Sequence, residues 1–158
     1  MSASGVRIEA GEIDLRRFNE QVLACQHEAY TLAVQLLGDE QRADAIVRDA
    51  VVQTYRQLGT GGRSVTSESI RISVLQRVLK RCGHGGRRRR GRPSSLFGTL
   101  SKHEARALLL VDVLHLSYDE ASQVLRCSRD DVARWLAAAR IKLVKACTSG
   151  TGELQPAV

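Results

Sequence analysis

The sequence predicts an all-α protein made of two small helical lobes, and three observations support this prediction. Apolar residues recur at helical steps over most of the chain, and no stretch shows the strict alternation that indicates a half-buried strand. Three Ser-x-x-Glu/Asp boxes, a pattern typical of helix starts, lie between residues 101 and 131. A segment rich in glycine and arginine separates the two groups of helices.

The composition limits the class of protein. The 158 residues are 43% hydrophobic but only 4% aromatic, which suits one or two small aliphatic helical domains. The chain has neither an apolar run as long as a membrane span nor a signal-peptide pattern, so we expect a cytoplasmic protein without membrane contact. The four cysteines form no CxxC pair, which favours reduced thiols. Cys25 and His27, like Cys82 and His84, do not share a helix face, so we expect no metal and no cofactor.

The charge is distributed unevenly along the chain. The net charge is +7, yet residues 1–62 carry 6 Arg/Lys against 9 Asp/Glu. Residues 63–95 carry 10 Arg/Lys against 1 Asp/Glu, and residues 96–148 carry 8 against 6. An acidic first lobe followed by a strongly basic middle segment indicates that the middle of the chain contacts a polyanion.

Residues 13–82 form the first predicted lobe. Apolar positions predict a first helix over residues 14–37, and a break near residues 25–28 stays open because the stretch exceeds an average helix. Gly38 and Asp39 predict a helix end followed by a new start. Two further helices are predicted over residues 41–58 and 67–81.

Residues 83–97 form a predicted basic linker between the lobes. Its glycines and Pro93 disfavour a stable helix, and its four adjacent arginines repel one another unless an anion is present. The linker is either a solvated charged spacer or a flexible arm on nucleic-acid phosphates. We favour the second interpretation because the preceding helix is also basic near its end.

The second lobe, residues 98–147, is predicted to contain three helices and a helix-turn-helix. The boxes begin at Ser101, Ser117 and Ser128, and they predict helices of about 13 and about 8 residues followed by a longer one. Only residues 126–128 separate the last two helices, which is the helix-turn-helix spacing. An ordinary three-helix bundle with a short loop is the alternative.

The last helix has two different faces. Its apolar face is predicted to carry Val132, Leu136, Ala139 and Leu143, spaced at steps of four, three and four. Three arginines are left for solvent or phosphate: Arg129, Arg134 and Arg140. Trp135 lies either in the core or against a DNA backbone, and we favour the core.

Several motifs resemble those of extracytoplasmic-function (group IV) sigma factors of bacterial RNA polymerase, with this chain as a divergent member. In the second lobe the likeness to promoter-binding region 4 runs through Leu108-Leu-Leu110, Leu116-Ser-Tyr-Asp-Glu120, Val124-Leu125 and Ala139-Arg140. In the first lobe the likeness to region 2 runs through Ala29-Tyr30, Leu36-Leu-Gly-Asp39, Ala43-Asp44, Val47, Asp49 and Tyr55-Arg56.

The resemblance implies a transcription initiation protein that binds core RNA polymerase and promoter DNA. The implied polymerase contacts, on the clamp helices of the largest subunit with the flap as a second candidate, are Asp44, Arg48, Asp49 and Val52. The DNA contacts expected near the melted region are Arg71, Arg77, Lys80, Arg81, Arg87, Arg88, Arg89 and Arg90. Those expected at the upstream element are Arg126, Arg129, Asp131, Arg134, Ala137 and Arg140. An anti-sigma factor is a further candidate partner.

A second hypothesis is a sigma-derived regulator that binds polymerase or another protein without melting promoters. The family usually has an acidic residue at position 45 and Gln at position 48, where this chain has Ala45 and Arg48. Its third helix carries none of the aromatics that stack on bases in the family. The acidic pair Asp130 and Asp131 also favours this alternative. An enzyme is not expected, because the sequence shows no paired carboxylates, nucleophile constellation or phosphate loop.

Overall fold

The computed structural model describes residues 15–59, 65–84 and 96–149, and the chain divides into two compact units between residues 86 and 87. Within the described ranges every regular element is helical and no strand occurs, which confirms the all-α prediction. None of the described helices combines the length and the apolar character needed to cross a membrane.

The first unit contains three helices, α1 (Leu15–Leu37), α2 (Glu40–Gly59) and α3 (Ser67–His84), and each packs against the other two. Helix α1 is continuous through residues 25–28, where the sequence left a break open. Cys25 and Ala29 are both buried there, so the apolar stripe passes through this region without interruption. The largest fully buried side chains of this unit are Phe18, Leu32, Val74, Leu75 and Val78.

The corner between α1 and α2 forms as the sequence predicted. Gly38 has φ +65°, a left-handed conformation that glycine adopts without strain, and its N–H donates to Val34 O at 2.7 Å. Asp39 then accepts a hydrogen bond from the Arg42 N–H at 3.1 Å, which satisfies one exposed donor of the first turn of α2.

Helix α3 is longer than predicted at its C-terminal end. It extends to His84, so residues 83 and 84 belong to this helix although we had assigned them to the linker. The buried side chain of Cys82 anchors the last turn, and one glycine near a helix end costs only about 1 kcal/mol of helix propensity. The N-terminal end is held by Thr66 and Ser69, since each backbone N–H donates to the other's hydroxyl, at 3.0 and 3.1 Å.

The described part of the second unit starts with a short 3-10 helix, Leu96–Thr99, two residues of which we had assigned to the linker. Three α-helices follow: α4 (Lys102–Leu108), α5 (Tyr118–Leu125) and α6 (Arg129–Ser149). Ala107 and Leu108 of α4 are buried against Leu136 and Ala139 of α6. Partly buried residues surround this cluster: Leu100, Val111, Tyr118, Leu125, Trp135 and Leu143.

All three predicted capping boxes are present. The N–H of the third helical residue donates to the serine hydroxyl at 3.3, 3.2 and 3.1 Å in the boxes of Ser101, Ser117 and Ser128. The serine N–H donates to the carboxylate of that same third residue at 2.8, 2.8 and 3.3 Å. These reciprocal bonds satisfy donors that a helix start otherwise leaves without a partner.

The helix that starts at Ser101 was predicted as one α-helix of about 13 residues, but it ends differently. Its last part, Leu109–Val113, is a π-helix, and the Leu114 N–H donates to Leu109 O at 2.9 Å. His115 then adopts a positive φ of 56° between the buried Leu114 and Leu116. A π-helical turn is wider than an α-helical turn, so it changes the direction in which Asp112 projects. In this structure Asp112 contacts Arg140 of α6.

Candidate nucleic-acid interface

Helices α5 and α6 and the turn between them form a helix-turn-helix. The turn is three residues long, and Arg126 closes α5 in the left-handed conformation at φ 56°, ψ 48°. The Arg126 N–H donates to Gln123 O at 3.3 Å, and the Cys127 N–H donates to Ser122 O at 3.1 Å. These bonds satisfy the last carbonyls of α5 and fix the direction in which α6 leaves.

The inner face of α6 is the one that the sequence predicted. Val132, Leu136 and Ala139 are almost completely buried, and Leu143 is partly buried. Trp135 also packs on the edge of the core, where its ring stacks on His103 with centroids 4.6 Å apart. The core position that we favoured for Trp135 is therefore the one observed.

The outer face of α6 carries three exposed arginines, each of which has a carboxylate partner. Arg129 lies 3.7 Å from Asp119 and 6.0 Å from the centre of the Tyr118 ring. Arg134 pairs with Asp131, three residues earlier on the same helix. The sequence had left these guanidinium groups to solvent or phosphate, whereas the structure places an acidic partner beside each of them.

Arg140 and Lys142 attach the second half of α6 to α4 and the π-helix. Arg140 donates to both carboxylate oxygens of Asp112 at 2.6 and 3.1 Å, and this hydrogen bonding raises the pKa of Arg140. Lys142 donates to both oxygens of Glu104 at 2.7 and 2.8 Å. That hydrogen bond, followed by the one from the Ser101 N–H, lowers the pKa of Glu104, so the capping carboxylate stays ionised.

The sequence did not predict either ion pair, Arg140–Asp112 or Lys142–Glu104. Asp112 lies 28 residues before Arg140 and Glu104 lies 38 residues before Lys142, so no local pattern relates the partners. The capping box did identify Glu104 as a residue that must face the start of α4. It could not show that the same carboxylate also faces α6.

The remaining residues predicted for the upstream element also lie on or near this face. Ala137 is exposed on α6, and Arg126 is exposed in the turn. Asp131 is directed back toward the turn, since its carboxylate accepts from the Ser128 hydroxyl at 2.7 Å and from the Ser128 N–H at 3.3 Å. These two bonds lower the pKa of Asp131, with a smaller contribution from the charge of Arg134.

The arginines of α3, which we predicted to contact DNA, are engaged inside the first unit. Arg71 donates to both oxygens of Glu28 on α1 at 2.7 and 2.9 Å, and both side chains are only 26% exposed. Arg77 donates to Gln53 and Gln57 of α2, and Arg81 lies 2.5 Å from Asp49. Lys80 is exposed. The predicted phosphate contacts Arg87, Arg88, Arg89 and Arg90 lie outside the described residues.

The residues predicted to contact polymerase divide into two groups on α2. Asp44, Arg48 and Val52 are four residues apart and follow one stripe of the helix, where Asp44 and Arg48 pair at 2.6 Å and Val52 is 46% exposed. Asp49 instead faces α3 and holds Arg81. The stripe remains an accessible surface, whereas Asp49 contributes to packing between helices.

The geometry of the second unit thus defines a helix-turn-helix domain whose last helix has a buried apolar face and exposed arginines with acidic partners. Among the described residues, no group of three metal-ligating side chains lies together. Residues 94–143 match the family model described as sigma-70, region 4, and this match covers α5, the turn and α6 as far as Leu143. The second unit is therefore similar to region 4 of sigma-70 factors, over 50 of the 158 residues of the chain. No curated protein matches the chain.

Proposed function

We propose that this chain is a sigma-factor-like transcription initiation protein that binds core RNA polymerase and promoter DNA. The observation that carries the proposal is that the match to sigma-70 region 4 covers α5, the turn and the outward face of α6. A helix after such a turn can enter the major groove, where exposed arginines contact base edges and phosphates.

We further propose that the chain is a divergent member of the extracytoplasmic-function group and that its first unit binds the clamp helices of polymerase. The accessible stripe of Asp44, Arg48 and Val52 on α2 supports the second part of this proposal. Lys80, whose side chain is exposed, and the polyarginine segment Arg87–Arg90 are candidates for phosphate contacts, together with the arginines of α3. The flap of RNA polymerase and an anti-sigma factor are further candidate partners of the chain.

Two binding assays with the full chain test this proposal, one with core polymerase and one with duplex promoter DNA. Replacing Arg48 and Val52 by alanine is expected to weaken polymerase binding and to leave duplex binding unchanged. Replacing Arg129 and Arg134 by alanine is expected to do the opposite. Run-off transcription with core polymerase on a genomic promoter library then identifies the promoter. Absence of binding in both assays would contradict the proposed function.

A second candidate function is a regulator that binds polymerase or another protein without melting promoters. Specific observations favour it: α3 carries no aromatic residue, and every arginine on the outer face of α6 is paired with a carboxylate. Stacking on aromatic side chains contributes about 1–3 kcal/mol per base, so strand capture by α3 is expected to be weak.

A template that is already open separates these two functions. Run-off transcription is compared on duplex promoter DNA and on the same promoter with an unpaired bubble around the start site. An initiation factor that melts DNA gives product on both templates. A protein that binds but cannot melt gives product on the bubble alone, and a protein-binding regulator gives product on neither.

We also propose that the chain has no catalytic activity of its own. His103 and His115 are the first candidates for proton transfer, but each has a position that a structural role explains. His103 stacks on Trp135, and His115 adopts a positive φ in the link before α5. Replacing both histidines by alanine is expected to leave transcription unchanged apart from any loss of stability.

A further inference from the structure

Asp131 makes two kinds of contact at the start of α6. One oxygen, Oδ2, accepts from the Ser128 hydroxyl at 2.7 Å and from the Ser128 N–H at 3.3 Å. The other oxygen, Oδ1, accepts from a terminal nitrogen of Arg134. The turn therefore fixes the rotamer of Asp131, and the fixed carboxylate presents its second oxygen to the arginine.

Stability alone does not explain the contact between Asp131 and Arg134. The Arg134 side chain is 69% exposed, and exposed ion pairs three residues apart on a helix contribute little to folding. A direct contact of Asp131 with a base amino group would compete with the hydrogen bonds that both of its oxygens already accept, and a carboxylate near phosphates is repelled. The hydrogen bonds from Ser128 lower the pKa of Asp131, so it stays ionised and cannot donate to a base at neutral pH.

We propose that Asp131 is a positioning residue that holds the Arg134 guanidinium in the orientation in which it contacts a base edge. This inference rests on the proposed DNA-binding function. A bidentate arginine contact requires a planar group in one orientation, and a long side chain loses much rotamer freedom when it forms that contact. Restricting Arg134 before binding reduces this loss and favours the bases that match the fixed orientation.

The neighbouring Asp130 provides a matched control. It carries the same charge in the same helical turn, but within the described part of the second unit it has no ion-pair partner. Replacing either aspartate by asparagine removes one negative charge close to the DNA, so both changes are expected to raise non-specific binding equally. Only the change at Asp131 removes the contact with Arg134.

Selection from a randomised duplex library tests the proposal, using the full chain alone and bound to core polymerase. The variants are Asp131→Asn, Asp130→Asn, Arg134→Ala and Arg134→Lys, with helix content checked by circular dichroism. We expect Asp131→Asn to lose about 3- to 10-fold of base discrimination at one position, the position that Arg134→Ala also affects. Asp130→Asn is expected to keep the wild-type base preferences.

Arg134→Lys keeps the test decisive if Asp131→Asn unfolds the turn. It leaves the Ser128–Asp131 box intact and keeps the charge but lacks the planar fork, so it is expected to lose discrimination at the same position. Wild-type preferences in Asp131→Asn, or in Arg134→Lys if Asp131→Asn does not fold, would overturn the proposal. A wild-type protein that selects no duplex in either form would contradict the proposed function itself, and this inference with it.

Discussion

Helices α3 and α6 both carry three arginines that have polar or acidic partners, but the two sets are held in different ways. The arginines of α3 bind residues of the other helices in their bundle, and Arg71 is only 26% exposed. The arginines of α6 stay on the outside, where Arg129 and Arg134 are 64% and 69% exposed although both have acidic partners.

This difference shows that a basic helix is not by itself a nucleic-acid surface. Removing Arg71 leaves the Glu28 carboxylate between two helices without its cation, so the cost falls on folding. Removing Arg134 leaves Asp131 still bonded to Ser128, so the cost falls on whatever Arg134 binds. Exposure and the location of the partner together therefore separate Arg71, which holds the fold, from Arg134, which is available to DNA.

The largest expected effect is on the salt dependence of DNA binding. It concerns the polyarginine segment Arg87–Arg90, a third basic region beside α3 and α6. Replacing Arg87–Arg90 by serine is expected to flatten the salt dependence of duplex binding, with a decrease in slope of about 0.9 per lost phosphate contact. Replacing four exposed arginines of the first unit, Arg16, Arg17, Arg42 and Arg56, is the control of equal charge. Equal slopes in both variants would show that the linker is only a solvated spacer.

Arg71→Ala is expected to lower the free energy of unfolding by about 2 kcal/mol, because it removes a charged, partly buried pair of hydrogen bonds. Arg17→Ala, at an exposed arginine of the same unit, is expected to stay within about 0.5 kcal/mol of the wild type. Urea unfolding measures both values. A stable Arg71→Ala protein that binds DNA poorly would reverse the role assigned to α3.

The Glu104–Lys142 pair predicts a dependence on pH. The pKa of Glu104 is lowered in the folded state, so the pair stabilises the fold above the unfolded pKa, and this contribution is lost as pH falls through the folded pKa. In Lys142→Met the Glu104 pKa is expected to rise toward its ordinary value, and less stability is then lost on acidification. NMR titration of the Glu104 carboxyl measures the shift, with Lys102→Met as the control. The same pKa in both variants would contradict the assignment.

The smallest effect concerns the turn of the helix-turn-helix. Arg126 adopts a left-handed conformation that glycine tolerates better, so Arg126→Gly is expected to raise the free energy of unfolding by about 0.5–1 kcal/mol. Arg126→Ala removes the same charge but keeps the unfavourable φ, and it is expected not to stabilise the protein. If both variants bind duplex DNA less well, Arg126 itself contacts the DNA.

How far the sequence predicts this structure depends on the range of each interaction. The helix starts at Ser101, Ser117 and Ser128 were predicted because a capping box is complete within four residues. The corner at Gly38 was predicted for the same reason. The π-helix was not predicted, because the period of the apolar residues in Leu109–Val113 does not reveal how many residues each turn contains.

The candidate site was predicted only in part. Periodicity identified the inner face of α6 and therefore its outward arginines. It could not identify their partners Asp112 and Asp119, which come from other elements. On α3, a basic pattern near the end of the helix suggested a phosphate surface, but the bundle brings Glu28, Gln53 and Asp49 close enough to bind those arginines first.

The effect of Arg134→Ala on DNA binding, measured together with folding, is the most direct test of α6 as the recognition helix. Binding to the selected promoter duplex is expected to weaken by about 1–3 kcal/mol, with relaxed specificity at one position. The free energy of unfolding is expected to change by no more than about 0.5 kcal/mol, because the side chain is exposed. Wild-type DNA affinity in a stably folded Arg134→Ala protein would contradict the assignment of α6 as the recognition helix.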